Sequence, residues 1–170
     1  KTLAGGECNA RSPSPGTIAG IFVDDERVLN LVHYFSRATG DTLASELGAV
    51  TILSGQHCHG LQLNLCWPDP VLLARVLGEQ REWQPKKARL VLQVGPKALE
   101  EVSGSNLRIR DRLRAYVELD AITDILIDGS GGQGKGVDFA RLAVTYAFLR
   151  EAFPSLGIGI AGGLSATNLP

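Results

Sequence analysis

Short apolar runs, each followed by a segment with helical signals, recur along this chain, and that alternation constrains its fold more than any other feature. The clear runs are Arg27–Phe35, Gly60–Trp67, Ala88–Val94, Ile122–Asp128 and Gly157–Ala161. A sixth, Thr17–Val23, is apolar but weakly defined and is expected as a further strand. Between them the helical signals are specific. Asp41–Leu47 opens like a capped helix, and Asp69 stands as N-cap to a helix with Pro70 at its first position. Pro96–Val102 and a basic amphipathic stretch, Leu107–Val117, follow the third clear run. The segment Asp138–Phe153 carries Phe139, Leu142, Ala143, Tyr146 and Leu149 at helical spacing.

Strands that alternate with helices build βαβ units and therefore a parallel sheet. Right-handed crossovers leave two architectures, a closed eight-fold barrel or an open doubly wound sheet. Composition does not choose between them; the motifs below favour an α/β fold of the parallel (β/α)8 TIM-type barrel. Such a barrel typically needs about 250 residues, and this chain has 170. The barrel is thus expected to be incomplete, with C-terminal βα units missing. The sequence contains no methionine, and the expectation is that it represents part of a longer product. Residues 1–16, rich in Gly, Ser and Pro, read as an irregular arm, and residues 17–170 as one barrel domain.

Charge and composition exclude several classes. The formal net charge is −1 and there is no Lys/Arg-rich tract, which argues against a nucleic-acid surface. No apolar stretch approaches the roughly 20 residues that span a bilayer. The opening Lys1-Thr2-Leu3-Ala4 is too short and too soon interrupted to be a signal peptide. Cys8, Cys58 and Cys66 form an odd set without CxxC spacing, so free thiols in a reducing cytoplasm are expected. Arg108, Arg110, Arg112 and Arg114 alternate with acids and read as a solvated helix face.

The sharpest chemistry lies between Ile125 and Phe139. Asp128 ends a strand, where parallel α/β enzymes place catalytic groups. The following loop holds Gly131, Gly132, Gly134 and the cation Lys135, so its backbone can turn N–H groups towards an anion. A second motif, Gly162-Gly163 after the last strand, again ends a strand just before a helix start. Two such motifs on neighbouring strands have the form of the phosphate cradle that barrels build from late βα loops.

With these residues in view, the chain resembles the phosphoribosylanthranilate isomerase family. The likeness rests on Leu126-Ile127-Asp128, Gly131-Gly132-Gln133-Gly134-Lys135, Val137-Asp138-Phe139 and Ile160-Ala161-Gly162-Gly163-Leu164, in that order. Leu61-Gln62-Leu63-Asn64 adds a strand similar to the family's Val-Gln-Leu-His. The match is concentrated in residues 120–168. The resemblance implies an Amadori rearrangement of an aminoaldose phosphate, with Asp128 as the general acid that opens the ribose ring. It implies phosphate binding by Gly131, Gly132, Gly134, Lys135, Gly162 and Gly163, and no cofactor. The family's general base, a cysteine in Lys-Ile-Cys-Gly, has no counterpart, since Cys8 stands in Gly6-Glu7-Cys8-Asn9. Gln133 replaces the family's Thr. A different phosphosugar reaction and a non-catalytic ligand-binding or assembly role therefore stay open, in each case with a phosphorylated small molecule as partner.

Four strand-end residues are candidate substrate contacts: Gln62, Asn64, Trp67 and Gln93. The alternative reading is a satisfied buried amide for Gln62 and Asn64, a packing residue for Trp67 and a solvated turn for Gln93. Lys97 is a candidate for a carboxylate, set against a solvated turn. His33 is either a base or, more commonly for a lone His in an apolar strand, a core residue. His57-Cys58-His59 has metal-ligand chemistry but no third or fourth ligand at useful spacing, so no metal is expected.

Overall fold

The computed structural model describes residues 13–83, 88–130 and 138–162. Five parallel strands form one sheet: β1 (Leu31–Phe35), β2 (Gly60–Asn64), β3 (Arg89–Val94), β4 (Asp124–Asp128) and β5 (Gly157–Ala161). Helices α1 (Gly40–Ser54) and α2 (Pro70–Trp83) follow β1 and β2. Two helices, α3 (Pro96–Glu101) and α4 (Asn106–Glu118), follow β3, and α5 (Phe139–Ala152) links β4 to β5. Every strand lies where an apolar run predicts one.

The strands stand in the order β1-β2-β3-β4-β5, all parallel, so neighbours in sequence are neighbours in space. A doubly wound sheet reverses its strand order and carries helices on both faces. No reversal occurs among the described strands, and the helices gather on one face. That face presents Leu61, Leu63, Leu90, Leu92, Ile125 and Ile127, each at most 1% exposed. They form one core with Leu47 of α1, Leu73 and Leu77 of α2, Leu113 of α4 and Leu149 of α5. The opposite face carries His33, Phe35, Gln62, Asn64, Val91, Gln93, Leu126 and Asp128, and is largely half-buried or exposed.

The helix boundaries follow local chemistry. Asp69 Oδ1 accepts from Val71 N at 2.9 Å, as expected of a cap ahead of Pro70. Asp138 Oδ1 caps α5 through Arg141 N at 3.0 Å, and Ser105 caps α4. Helix α1 differs: it begins at Gly40, and Asp41 lies inside its first turn, where a carboxylate favours the helix dipole instead of capping. The α4 arginines are on the solvent side except Arg110, which is half-buried over the Phe148 ring at 5.9 Å.

Three expectations are corrected. Thr17–Val23 is not a strand; Pro15–Ile21 forms a 3-10 helix, opened by Pro15 in its first turn and packed against α1. The buried stripe of α5 is Leu142, Thr145 and Leu149, while Ala143 and Tyr146 face outward. The helix is apolar on several sides, so periodicity alone misplaces its phase. Thr145 tolerates burial because its hydroxyl donates towards Arg141 O, at 3.1 Å, and is bonded to Asn106 Oδ1 at 2.9 Å. His33 is not a core residue; it is exposed on the uncovered face of β1. Among the described residues no helix is long and apolar enough to cross a membrane.

Candidate functional site at the C-terminal end of the sheet

Asp128 closes β4 and is 5% exposed. A carboxylate that deep needs hydrogen-bond donors, and three from the described residues reach it. Gln93 Nε2 donates to Oδ2 at 2.8 Å, while Ser130 N and Ser130 Oγ each donate to Oδ1 at 3.0 Å. The two Ser130 bonds follow from the Asp-Gly-Ser sequence, an Asx turn in which the aspartate bonds its own chain two residues on. Both carboxylate oxygens are thus directed by the fold.

Gln93 reaches Asp128 because of sheet register. It is opposite Leu126, so Asp128 is one strand across and two residues further towards the C-terminal end, on the same face. Gln62 repeats the step: it is opposite Val91, and its Nε2 donates to Gln93 Oε1 at 3.1 Å. The chain Gln62, Gln93, Asp128, Ser130 therefore climbs diagonally across β2, β3 and β4. Asn64 stands one row above Gln62, near the backbone of Gly95.

Gly162 closes the site from the end of β5. Its φ is +90°, and a Cβ there would lie 2.2 Å from Ser130 Oγ and 2.4 Å from Asp128 Oδ1. Here glycine is required twice, by the backbone conformation and by the close approach to the two side chains. Asp128 and Gly162, from the two sequence motifs, thus meet in space. Gly131, Gly132, Gly134, Lys135 and Gly163 lie outside the described residues.

Trp67 is engaged elsewhere. Its indole Nε1 donates to Ala98 O at 3.1 Å, and its ring packs 6.4 Å from that of Tyr116. It adopts φ +46°, a costly conformation for a bulky residue, held by these contacts at the exit from β2. Beside it, Cys66 Sγ donates to Glu101 Oε1 at 3.1 Å. Burial and that carboxylate push the Cys66 thiol up to about 11. Burial likewise raises the Cys58 thiol, which donates to Gly60 O. Neither thiol is poised as a base at neutral pH. Lys97 is exposed in the first turn of α3.

The trio His57-Cys58-His59 is divided among separate tasks at the other end of the sheet. His59 Nδ1 accepts from Asn30 N at 2.9 Å, and His57 Nδ1 is 3.2 Å from Asp24. Among the described residues no group of three or more His, Cys, Asp or Glu side chains converges as a metal site would.

Asp128, Gln93 and Gln62 are brought together from the sequence candidates. Ser130 is the residue that sequence reasoning passed over, although the Asx-turn signal Asp128-Gly129-Ser130 was available to find it. Searches against protein-family models, curated proteins and solved structures find no match to this chain.

Proposed function

We propose that this chain is a phosphosugar-binding isomerase resembling phosphoribosylanthranilate isomerase, acting at the C-terminal mouth of a (β/α)8 barrel in the cytoplasm. The observation that carries the reading is Asp128, buried at a strand end, tied by three hydrogen bonds and abutted by the Gly162 turn. The sequential, one-sided order of the five strands supports the barrel, since a singly wound sheet closes by adding further βα units.

In this reading the substrate's phosphate is held by Gly131, Gly132, Gly134 and Lys135 together with Gly162 and Gly163. Asp128 gives its proton to the ribose ring oxygen as the C1–O bond breaks, and the electron pair of that bond stays on the oxygen. The nitrogen lone pair stabilises C1, loss of the C2 proton to a base gives the enolamine, and ketonisation, with a proton added at C1 and the O2 proton lost, completes the rearrangement. The base is a residue other than Cys58 or Cys66, whose thiols hold their protons too tightly. Asn64 and Gln93 line the approach, with Gln62 set against Gln93.

One observation favours a second reading. Gln93 Nε2, Ser130 N and Ser130 Oγ each offer a hydrogen to Asp128, an arrangement that suits a carboxylate removing a proton, as in aldose–ketose isomerisation or epimerisation of a related sugar phosphate.

Loss of phosphoribosylanthranilate fluorescence, followed with wild type and Asp128→Asn, tests the proposal. Turnover by the wild type and a fall of about 10² or more in the variant are expected. A wild type that binds phosphate but leaves this substrate unchanged sinks the isomerase reading. If turnover appears with a ketose phosphate instead, the second reading stands. Phosphate binding unaltered by Asp128→Asn, with no turnover of either substrate, identifies a ligand-binding protein.

A further inference from the structure

A carboxamide has nearly the same shape when turned over, but its polarity reverses. Gln93 uses both ends of its amide: Nε2 meets Asp128 Oδ2 at 2.8 Å and Oε1 meets Gln62 Nε2 at 3.1 Å. If Gln93 alone turned over, its oxygen would face the carboxylate and its N–H2 would face the N–H2 of Gln62. Both contacts would become repulsive in a site where Gln93 is only 5% exposed.

Resting on the reading of Asp128 as the reactive carboxyl, we infer that Gln62 is a positioning residue, which fixes the Gln93 amide and so keeps a donor against Asp128 Oδ2. Gln62 bonds Gln93, which in turn bonds Asp128, so it acts through Gln93. The orientation observed is the one that receives Asp128 as an anion, the form it takes once its proton has passed to the substrate oxygen. The protonated acid is served by the reverse arrangement, in which both amides turn together. Gln93 Oε1 then accepts from the Asp128 carboxyl, and Gln93 Nε2 donates to Gln62 Oε1. The two amides are a paired element with two consistent states and two frustrated ones. Gln62 is half-buried and Gln93 buried, so Gln62 is the end of the pair nearer to solvent.

Two readouts test this, one independent of turnover. In the free protein, the side-chain amide signal of Gln93 is identified by its loss in Gln93→Met and its displacement in Asp128→Asn. Gln62→Met should displace or broaden that signal as much as Asp128→Asn does, while Phe35→Leu, on the same open face, leaves it in place. An unmoved signal in Gln62→Met overturns the inference. With a turned-over substrate, Gln62→Met should lower kcat by about tenfold with KM little changed, as expected for one hydrogen bond to a charged group. The double variant Gln62→Met/Gln93→Met should be no slower than Gln93→Met alone, because Gln62 acts only through Gln93. Additive losses overturn the relay. If Gln93→Met does not fold, Gln93→Leu replaces it as the reference. Absence of turnover by the wild type removes the reading of the reaction but leaves the amide signal to decide the relay.

Discussion

Strand β3 contrasts two environments one residue apart. Leu90, Leu92 and Val94 face the helices and are at most 1% exposed, whereas Arg89 and Val91, on the other face, are exposed and half-buried. Gln93 shares that second face and yet is buried, because Gln62 and Asp128 close over it through hydrogen bonds. Burial on the covered face of the strands comes from apolar packing under α1, α2, α4 and α5. Burial at the top of the open face comes from polar side chains satisfying one another. The first mode fixes the fold, and the second assembles groups that can do chemistry.

The largest effect that would break this comparison is in stability. Leu92→Ala should cost about 2–5 kcal/mol, because a fully packed side chain leaves a cavity that its neighbours fill only in part. Val91→Ala, the adjacent residue on the open face, should cost about 1 kcal/mol or less. Chemical denaturation of the two variants measures both. Equal costs would mean that the open face is packed in solution as tightly as the covered one, and the contrast would fail.

Gly162 sharpens the comparison from the polar side. Gly162→Ala places a methyl group against Ser130 Oγ and Asp128 Oδ1 at φ +90°. Backbone strain alone is worth roughly 1–3 kcal/mol, and the side-chain clash adds to it. Ser130→Ala removes one of the two obstructing atoms, so the double variant should be more stable than the sum of the single losses predicts. Strict additivity in denaturation would show that the Gly162 approach is not what confines Asp128 and Ser130.

The covered face was legible in the sequence and the open one only in part, for a physical reason. Apolar alternation marks strands wherever one face is buried, and it located β1 to β5 and the Asp69-Pro70 helix start. It failed at Thr17–Val23, where Pro15 and a short length turned a β-branched run into a 3-10 helix. It also misphased α5, whose buried stripe runs through Thr145, a polar residue that periodicity discounts. Asp128 and Gly162 stood out as individual residues. Their meeting, and the part of Gln93 as partner to Asp128, depend on register between strands about 30 residues apart, which no local pattern encodes. Ser130 was visible as turn chemistry but carries no signal of burial until β5 is laid beside β4.

The smallest predicted effect lies far from the open face and serves as its control. Arg81 Nη1 and Nη2 donate to Asp120 Oδ2 and Oδ1 at 2.5 and 3.1 Å, joining the end of α2 to the turn after α4. The hydrogen bonds from Arg81 hold the Asp120 carboxyl below its ordinary value. A depressed folded-state value means that the pair stabilises fully above the unfolded carboxyl's titration, near pH 3.9. That contribution is lost as pH falls through the lower folded-state value. Both side chains are substantially exposed, 41% and 67%, so water screens the pair and its contribution should stay below about 1 kcal/mol. Asp120→Asn tests it, since Asn tolerates the φ of +49° at this position. At neutral pH the variant should be slightly less stable than the wild type, and the gap should close as the pH is lowered below about 4. The amide signal of Gln93 and the turnover of the site should not change with Asp120→Asn at any pH in that range. A change there would join the helix-covered half of the molecule to the polar one, and the separation of stability from chemistry across the sheet would have to be given up.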